Sequence, residues 1–289
     1  MNPVWFLVGG GTAGLALLVY WQMIVAEGTY LGPRVVAWTY DLVASRYDDI
    51  KQFNPRDESW FVAGPLLRAL DGVERPLVLD VATGTGRLPL ALLREHLAAR
   101  GGRIAGLDLS PGMLRRARAK LRLHGDAVRL IRHDASRLPF EDGTFDAVTC
   151  LESLEFMPRP QAVLREMVRV LAPGGVLLVT NRVGAEARFL PGRALARPHF
   201  QALMEALPLR EVEVRPWQAS YDLSTARKEG AARPPGSGVR DPLLLLLCPA
   251  CGGRLARAGT GLACPGCTRH YALDDGIADL VIARERIGT

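Results

Sequence analysis

Short apolar runs alternate with amphipathic segments between residues 76 and 228. The runs have the length of strands and end at glycine, proline or charged residues, while the segments between them repeat apolar residues at helical spacing. The pattern predicts strands over 77–82, 103–107, 128–133, 145–151, 176–180, 211–215 and 220–226, and helices over 88–99, 113–123, 161–171 and 200–206. This alternation indicates an α/β fold, in which helices cover both faces of a largely parallel sheet.

The first 26 residues have a different pattern, because they contain no charged side chain. Residues 4–26 would form a helix of about 34 Å, enough for a hydrocarbon core about 30 Å thick. A cleaved signal peptide, which normally has a basic start, and a buried soluble helix are the alternatives. We expect a single transmembrane anchor over 1–26. No basic residue precedes it, and the basic residues that follow it place the rest of the chain in the cytoplasm by the positive-inside rule. These residues are Arg34, Arg46, Lys51 and Arg56.

The pattern divides the remainder of the 289 residues into four parts. We expect a helical lead-in over 27–75, the α/β domain over 76–228, a linker rich in proline and glycine over 229–241, and a C-terminal module over 242–289. Apolar residues make up 48% of the chain and charged residues 23%, which excludes wholesale disorder. The net charge of +6 is mild and does not decide between acidic lipid and nucleic acid as partners.

A glycine-rich turn follows the first predicted strand, in the sequence LDVATGTGR over 79–87. Glycine lets the backbone approach a ligand, and the next helix offers free N–H donors at its start. The third glycine of a dinucleotide-binding G-x-G-x-x-G is missing, and so is the Gly-Lys-Ser/Thr of a Walker loop. Ligands of open α/β sheets bind beyond the carboxyl ends of the strands. The turn therefore predicts a binding site of another kind at this edge.

Two acidic residues, Asp108 and Asp134, end the next two predicted strands. A carboxylate at Asp108 can accept hydrogen bonds from both hydroxyls of a ribose, and one at Asp134 can accept from an exocyclic amine. A ligand that needs both is an adenosine without a pyrophosphate. Either residue could instead cap a local turn, and a glycine-rich turn can be only a tight turn.

With these motifs in place, the chain resembles the class I S-adenosylmethionine-dependent methyltransferases, especially the branch with the ubiquinone/menaquinone-biosynthesis C-methyltransferases. The similar segments are LDVATGTG (79–86), GLDLSPGMLRRAR (106–118), HDASRLPFEDGTFDAVTCLESLEF (133–156) and VLREMVRVLAPGGVLLVTNR (163–182). The resemblance covers about residues 38–228. It implies a Rossmann-like, seven-stranded methyltransferase sheet whose last strand is antiparallel.

The resemblance also implies roles for individual residues toward S-adenosylmethionine. The first glycine of the family's D-x-G-x-G-x-G is Ala82 here, a change of one methyl group. The implied roles are the methionine part for Asp80, Ala82, Gly84 and Gly86, the ribose for Asp108, the flanks of the adenine for Leu109 and Met113, the adenine edge for Asp134 and Ala135, and the methyl group and acceptor for Leu151 and Glu152.

The reaction implied is an in-line transfer of a methyl group to a nucleophile, for which positioning and desolvation supply much of the rate. A carbon or oxygen acceptor can also need a base. Glu152, Glu155 and His199 are candidates, and each could equally be a structural or solvated residue. The sequence does not assign the base.

Four of the five cysteines form two C-x-x-C pairs, Cys248 with Cys251 and Cys264 with Cys267. Two such turns can close a tetrahedron of thiolates around Zn²⁺, and four protein ligands leave no open position, so the site should be structural. Iron in a rubredoxin-like site and a redox dithiol are the alternatives. The surrounding sequence resembles small zinc-ribbon proteins that activate methyltransferases, over about 242–283. Cys150 is expected to be a small buried apolar residue.

Together, these features predict a membrane-anchored methyltransferase whose acceptor is a small lipophilic molecule, either a quinone precursor or a lipid. Two alternatives are a methyltransferase for RNA or protein with the zinc ribbon as an activator in cis, and a non-catalytic nucleotide-binding scaffold. Nucleic acid is a possible partner that the sequence does not favour, and the oligomeric state is not predicted. Four arginines before the helix over 200–206 could meet an anionic head group or form a solvated basic face. They are Arg182, Arg188, Arg193 and Arg197.

Overall fold

The computed structural model describes residues 3–231 and 241–281, with side chains from residue 11 onward. Short 3-10 and π-helical turns connect the main elements. The helices are α1 (Pro3–Tyr20), α2 (Pro33–Val43), α3 (Tyr47–Lys51), α4 (Pro55–Glu58), α5 (Gly64–Ala69), α6 (Arg87–Arg94), α7 (Pro111–Leu121), α8 (Pro160–Val170), α9 (Gly184–Ala187) and α10 (Arg197–Glu205). The strands are β1 (Leu77–Val81), β2 (Arg103–Asp108), β3 (Val128–Arg132), β4 (Phe145–Cys150), β5 (Leu171–Arg182), β6 (Leu209–Trp217), β7 (Tyr221–Lys228), β8 (Ala256–Ala258), β9 (Gly261–Ala263), β10 (His270–Asp274) and β11 (Ile277–Asp279).

The first seven strands lie side by side in the order β6-β7-β5-β4-β1-β2-β3. Strands β1 to β5 are parallel, and β7 runs antiparallel to both β5 and β6. All five residues of β1 are buried, as expected for a central parallel strand covered on both faces. The predicted seven-stranded Rossmann-like sheet is therefore confirmed.

Two apolar cores lie on opposite faces of this sheet, because successive strand residues point to opposite sides. Leu77, Leu79 and Val81 belong to one core, and Val78 belongs to the other. The first core is completed mainly by α8 and α10, and the second by α5, α6 and α7. The carboxyl ends of the strands remain accessible between these layers, and the candidate site lies there.

Two element boundaries differ by five residues from the sequence prediction. Strand β5 begins at Leu171, five residues early, because Pro173, Gly174 and Gly175 form an irregular strand start rather than a separate turn. A Cβ at Gly175 would lie 2.8 Å from the carbonyl oxygen of Ala172, so only glycine fits there. Helix α6 ends at Arg94 instead of near residue 99, and the chain continues through a 3-10 turn.

The C-terminal residues 241–281, here the four-cysteine module, continue the central sheet. Strand β11 pairs in parallel with β3, and β10, β9 and β8 follow outward by antiparallel pairing. The backbone N–H of Leu280 donates to the carbonyl of Arg132 at 3.0 Å, and Arg132 forms an ion pair with Asp279 at 2.8 Å. Most of the predicted linker, residues 232–240, lies outside the described residues, as do residues 282–289.

The prediction of a single-pass membrane protein with its bulk in the cytoplasm is wrong. Among residues 3–231 and 241–281, no helix has both the length and the apolar character needed to cross a bilayer. Helix α1 has 18 residues, and at about 1.5 Å per residue it spans about 27 Å, less than a hydrocarbon core of about 30 Å. At Trp21 the hydrogen-bond pattern changes to a π-helix, and the Trp21 ring stacks on Tyr30.

Candidate functional site

The loop after β1 is built on a row of left-handed backbone conformations. Ala82 and Gly84 both have φ near +54°, and Gly86 has φ +77°. The loop is supported by Asp80, whose carboxylate accepts hydrogen bonds from the hydroxyls of Thr83 at 2.6 Å and Thr149 at 2.7 Å. Burial raises the pKa of Asp80 to about 6, although these hydrogen bonds act in the opposite direction. The loop therefore presents bare backbone above a buried carboxyl group.

Asp108 at the end of β2 joins this loop to the next helix. One carboxylate oxygen accepts from the N–H of Gly84 at 2.8 Å, and the other accepts from the N–H of Ser110 at 2.9 Å. Ser110 caps α7 by accepting from the N–H of Met113 at 3.0 Å. Burial raises the pKa of Asp108, and the backbone hydrogen bonds oppose that rise. Asp108 therefore lies beside the glycine turn, and its role toward a ligand stays a prediction.

A cavity with about 800 Å³ of empty space, part of it open to solvent, lies at the carboxyl ends of β1, β2, β3 and β4. Most of the predicted cofactor-binding residues line it together, namely Ala82, Gly84, Asp108, Leu109, Met113, Asp134, Ala135 and Leu151. A smaller recess of about 400 Å³ shares Gly84 with it and contains Asp80.

Gly86 has a packing function in this structure. A Cβ at Gly86 would lie 2.8 Å from Cδ1 of Leu121, so its absence lets α6 approach α7. Gly84 differs, because a Cβ there would meet no heavy atom within 4 Å. The two glycines of the motif therefore have different roles. Gly86 allows close packing of α6 against α7, and Gly84 leaves open space at the cavity wall.

Helices α2 and α3 of the lead-in cover the cavity, which the sequence pattern did not predict. Tyr40 lies on the cavity wall and contacts the rings of Tyr47 and Phe156, with ring centroids 5.9 and 6.0 Å apart. Asp41 accepts from the backbone N–H of Gly112 at 2.7 Å, which attaches α2 to α7. Asp48 pairs with Lys120 at 2.7 Å and attaches α3 in the same way. The only sequence signal was a loose apolar stripe that included Tyr47.

The three candidate bases occupy different environments. Glu152 is buried directly after β4 and lines the cavity. Glu155 is also buried, but it lines a separate small cavity and accepts from the Tyr221 hydroxyl at 2.6 Å. Burial raises the pKa of Glu155. His199 is exposed on α10. Of the three, the structure thus brings only Glu152 to the cavity lined by the predicted cofactor-binding residues.

Three of the four arginines considered for an anionic head group bind protein groups instead. Arg197 forms two hydrogen bonds, of 2.6 and 2.8 Å, to the buried carboxylate of Asp222. Arg193 donates to the carbonyl of Met157 at 2.8 Å, and Arg182 pairs with Glu186 at 2.5 Å. These contacts fix the segment between β5 and α10. Arg188 is exposed on the same segment.

The four cysteines of the module converge on one point. Their sulfur atoms all lie within 4.8 Å of one another, with 3.6 Å between Cys248 and Cys267 and 3.4 Å between Cys251 and Cys264. A tetrahedron with Zn–S bonds of about 2.3 Å has sulfur atoms about 3.8 Å apart. The donor set and its spacing therefore fit a closed tetrahedral metal site. Cys150 is buried at the end of β4, as expected.

Comparison with known proteins matches the central domain. Residues 79–179 match the family described as "Methyltransferase domain". Demethylmenaquinone methyltransferase of Thermus thermophilus is 46% identical over 102 residues, which are 35% of this chain and 45% of that protein. The enzyme of the same name from Corynebacterium urealyticum is 37% identical over 179 residues, or 61% of this chain and 70% of that protein. The chain spans about half the length of the first curated relatives, from 45% to 58%.

Among solved structures, a chain from the complex between the Haloferax volcanii Trm112 methyltransferase activator and a methyltransferase has the same fold. The TM-score is 0.52 at 22% identity, over 66% of this chain and 98% of that chain. At this identity the likeness concerns the fold alone. The sheet order, the loop after β1 and the extent of the match to the Corynebacterium protein lead to one conclusion. The chain belongs to the family of S-adenosylmethionine-dependent methyltransferases.

Proposed function

We propose that the chain methylates a lipophilic quinone precursor with S-adenosylmethionine bound in the cavity beside Gly84 and Asp108. One observation carries the proposal. A single cavity is lined by the backbone of the loop at Gly84, by the carboxylates of Asp108 and Asp134 at the ends of two strands, and by the aromatic rings of Tyr40 and Tyr47. When bound, S-adenosylmethionine supplies an electrophilic methyl group on a sulfonium whose leaving group is neutral. The residues of this chain then have to bind, orient and desolvate the two reactants.

The polar groups of the cavity fit the nucleoside part of the cofactor. The carboxylate of Asp108 accepts from the backbone N–H groups of Gly84 and Ser110, and a carboxylate has about four lone-pair sites, so it keeps capacity to accept from a ribose hydroxyl. Asp134 accepts from the N–H of Ser136 with Oδ1 at 2.7 Å, and its Oδ2 would accept from the adenine amine. Leu109, Met113 and Ala135 would flank the base, while Asp80, Ala82, Gly84, Gly86 and Leu151 would border the methionine part.

The cover supports an apolar acceptor. Pro33, Val36 and Ala37 of α2 line the cavity together with Phe156 and Met157 from the segment after β4. Such a wall favours an apolar molecule. Relatives that are named demethylmenaquinone methyltransferases support a quinone precursor as the acceptor class.

Calorimetry and a turnover assay test this function. We expect the chain to bind S-adenosylmethionine and to transfer a labelled methyl group to a demethylmenaquinol that carries two isoprene units. Label recovered in extracted RNA or protein, and not in lipid, would replace the quinone acceptor with a macromolecular one. A chain that does not bind the cofactor would be a scaffold, and the proposal would be wrong.

We further propose that the four cysteines hold a structural Zn²⁺ and that the four-cysteine module supports the cofactor site in cis. Strand β11 is hydrogen-bonded along β3, and β3 leads directly into Asp134. Cys248, Cys251, Cys264 and Cys267 would all be ligands, so metal binding would contribute to folding. We expect about one zinc per chain by elemental analysis. Removing the metal with a chelator, or deleting residues 242–289, should lower the melting temperature and weaken cofactor binding. An unchanged enzyme would contradict this.

A further inference from the structure

Glu152 lies where three cavities meet. It lines the main cavity with Asp108, the smaller recess with Asp80, and an outer groove of about 1510 Å³ with Tyr221. Its side chain is only 6% exposed. A carboxylate in this position borders the region assigned to the cofactor and also the path to solvent, and none of the other candidate bases does so.

The backbone of Glu152 is held in a costly conformation. Its φ is +51°, in the left-handed region where a residue with a Cβ pays about 1–2 kcal/mol. Its N–H donates to the hydroxyl of Thr180 at 2.6 Å, inside the sheet. Such conformations persist where the surroundings enforce them, and they cluster at active sites. Here the conformation turns a charged side chain back toward the carboxyl ends of the strands.

The two oxygens of the Glu152 carboxylate have different hydrogen-bond partners. Oε1 accepts from the Arg87 guanidinium at 2.9 Å and from the Gln218 amide at 3.2 Å. Oε2 lies 3.7 Å from Nζ of Lys51, which is outside hydrogen-bond distance, and it accepts no hydrogen bond from the described residues. One oxygen is therefore anchored by two donors, and the other remains available to a substrate proton.

Arg87 is itself fixed from three sides. Its Nε lies 3.3 Å from the buried carboxylate of Glu58. Its guanidinium carbon lies 3.9 Å from the centroid of the Phe53 ring and 6.0 Å from that of Trp217. A guanidinium held by a carboxylate and aromatic rings has few alternative positions. It can therefore set the orientation of the Glu152 carboxylate.

We propose that Glu152 is the general base of methyl transfer and that Arg87 is its positioning residue. The assignment rests on the proposed function. The acceptor carbon forms a bond to the methyl group while the sulfur–methyl bond breaks, and the electron pair of that bond stays on sulfur as a neutral thioether. The same ring loses one proton to Oε2 of Glu152, which restores its aromatic system. The proton then leaves to water through the outer groove.

Four variants test the assignment with S-adenosylmethionine and the demethylmenaquinol of two isoprene units. We expect Glu152→Gln to lower kcat by about 10²–10⁴-fold, the usual contribution of a general base. The dissociation constant of S-adenosylmethionine should change less than threefold. Glu152→Asp should retain part of the activity, and added formate should partly restore the rate of Glu152→Ala. Glu155→Gln is the matched control, a buried neighbour outside the main cavity, and should keep kcat within about threefold.

Arg87→Met tests the positioning role separately. We expect a decrease in kcat of about tenfold or more with an unchanged cofactor affinity, and no rescue by formate, since the carboxylate is still present. If the wild type is active in this assay and Glu152→Gln is equally active, the assignment is wrong. A tenfold loss of cofactor affinity with normal kcat at saturation would also overturn it, because Glu152 would then be a cofactor ligand. A wild-type chain that binds cofactor but leaves the quinol unmethylated would overturn the acceptor and the base together.

Discussion

The buried carboxyl group of Asp80 should make the protein less stable as the pH rises. Its pKa in the folded chain is about 6, against an ordinary value of 3.8, because burial removes the ionised form from water. A group whose pKa is raised by folding stabilises the fold below its unfolded pKa, and that stabilisation is lost as the pH rises through the folded pKa. At about 1.4 kcal/mol per pH unit, ionising Asp80 costs the folded chain about 3 kcal/mol at neutral pH.

Asp80→Asn removes this cost and keeps the size of the side chain. The Thr83 and Thr149 hydroxyls that donate to the carboxylate can rotate to suit an amide. We expect the variant to gain about 2 kcal/mol relative to the wild type when the pH is raised from 4.5 to 7.5. At a single pH, the difference in free energy of unfolding between the variant and the wild type also depends on the new hydrogen bonds. The change of that difference between pH 4.5 and pH 7.5 depends on the ionisation of Asp80.

Urea unfolding of both proteins at the two pH values measures the effect. Asp49→Asn, at an exposed position on α3, is the matched control and should change little between the two pH values. Comparing variants at one pH cancels any effect of pH on the four cysteines of the C-terminal module. An equal stability difference between Asp80→Asn and the wild type at pH 4.5 and 7.5 would refute the reasoning.

Two further predictions concern the cavity and the extended sheet. Gly84→Ala should weaken S-adenosylmethionine binding at least tenfold by calorimetry, because the new methyl group points into the open space of the cavity wall. Gly192→Ala has a similar φ and similar open space on an exposed loop, so it is the control for backbone strain alone. Leu280→Ala should destabilise the fold by about 2–4 kcal/mol, since Leu280 is fully buried, and should speed amide exchange along β3. Leu244→Ala, at a residue 41% exposed, should cost less than half as much, and equal losses would contradict the packing argument.

The departure at Ala82 has a physical explanation in the loop geometry. The family pattern has glycine there, and Ala82 indeed adopts a φ of +54°, which favours glycine. A single methyl group in this conformation costs about 1–2 kcal/mol and does not block the turn. The loop therefore forms with Asp80 and Gly84 in place, and the substitution leaves the cavity open.

The core of the candidate site was predictable from the sequence for a topological reason. Parallel strands end at the same edge of a sheet, so Gly84, Asp108 and Asp134 had to lie near one another once the strands were recognised. The position of Glu152 at the end of β4 followed in the same way. The sequence could not separate Glu152 from Glu155, because their difference depends on the left-handed backbone at Glu152 and on the 3-10 turn that contains Glu155.

By itself, the amino-acid sequence determined the order of the main strands and helices of the α/β domain, the glycine turn with its acidic partners and the two cysteine pairs. Local periodicity and short-range motifs carry this information. Only the tertiary structure decided that α2 and α3 cover the cavity, that Arg87 donates to Glu152, and that β11 extends the sheet at β3. The hydrogen bonds from Arg87 to Glu152 and from Gly112 to Asp41 join residues that are 65 or more positions apart. The pairing of β11 depends on the edge of the sheet at β3. Such pairings follow from the shapes of folded surfaces, and no repeat or motif along the chain records them.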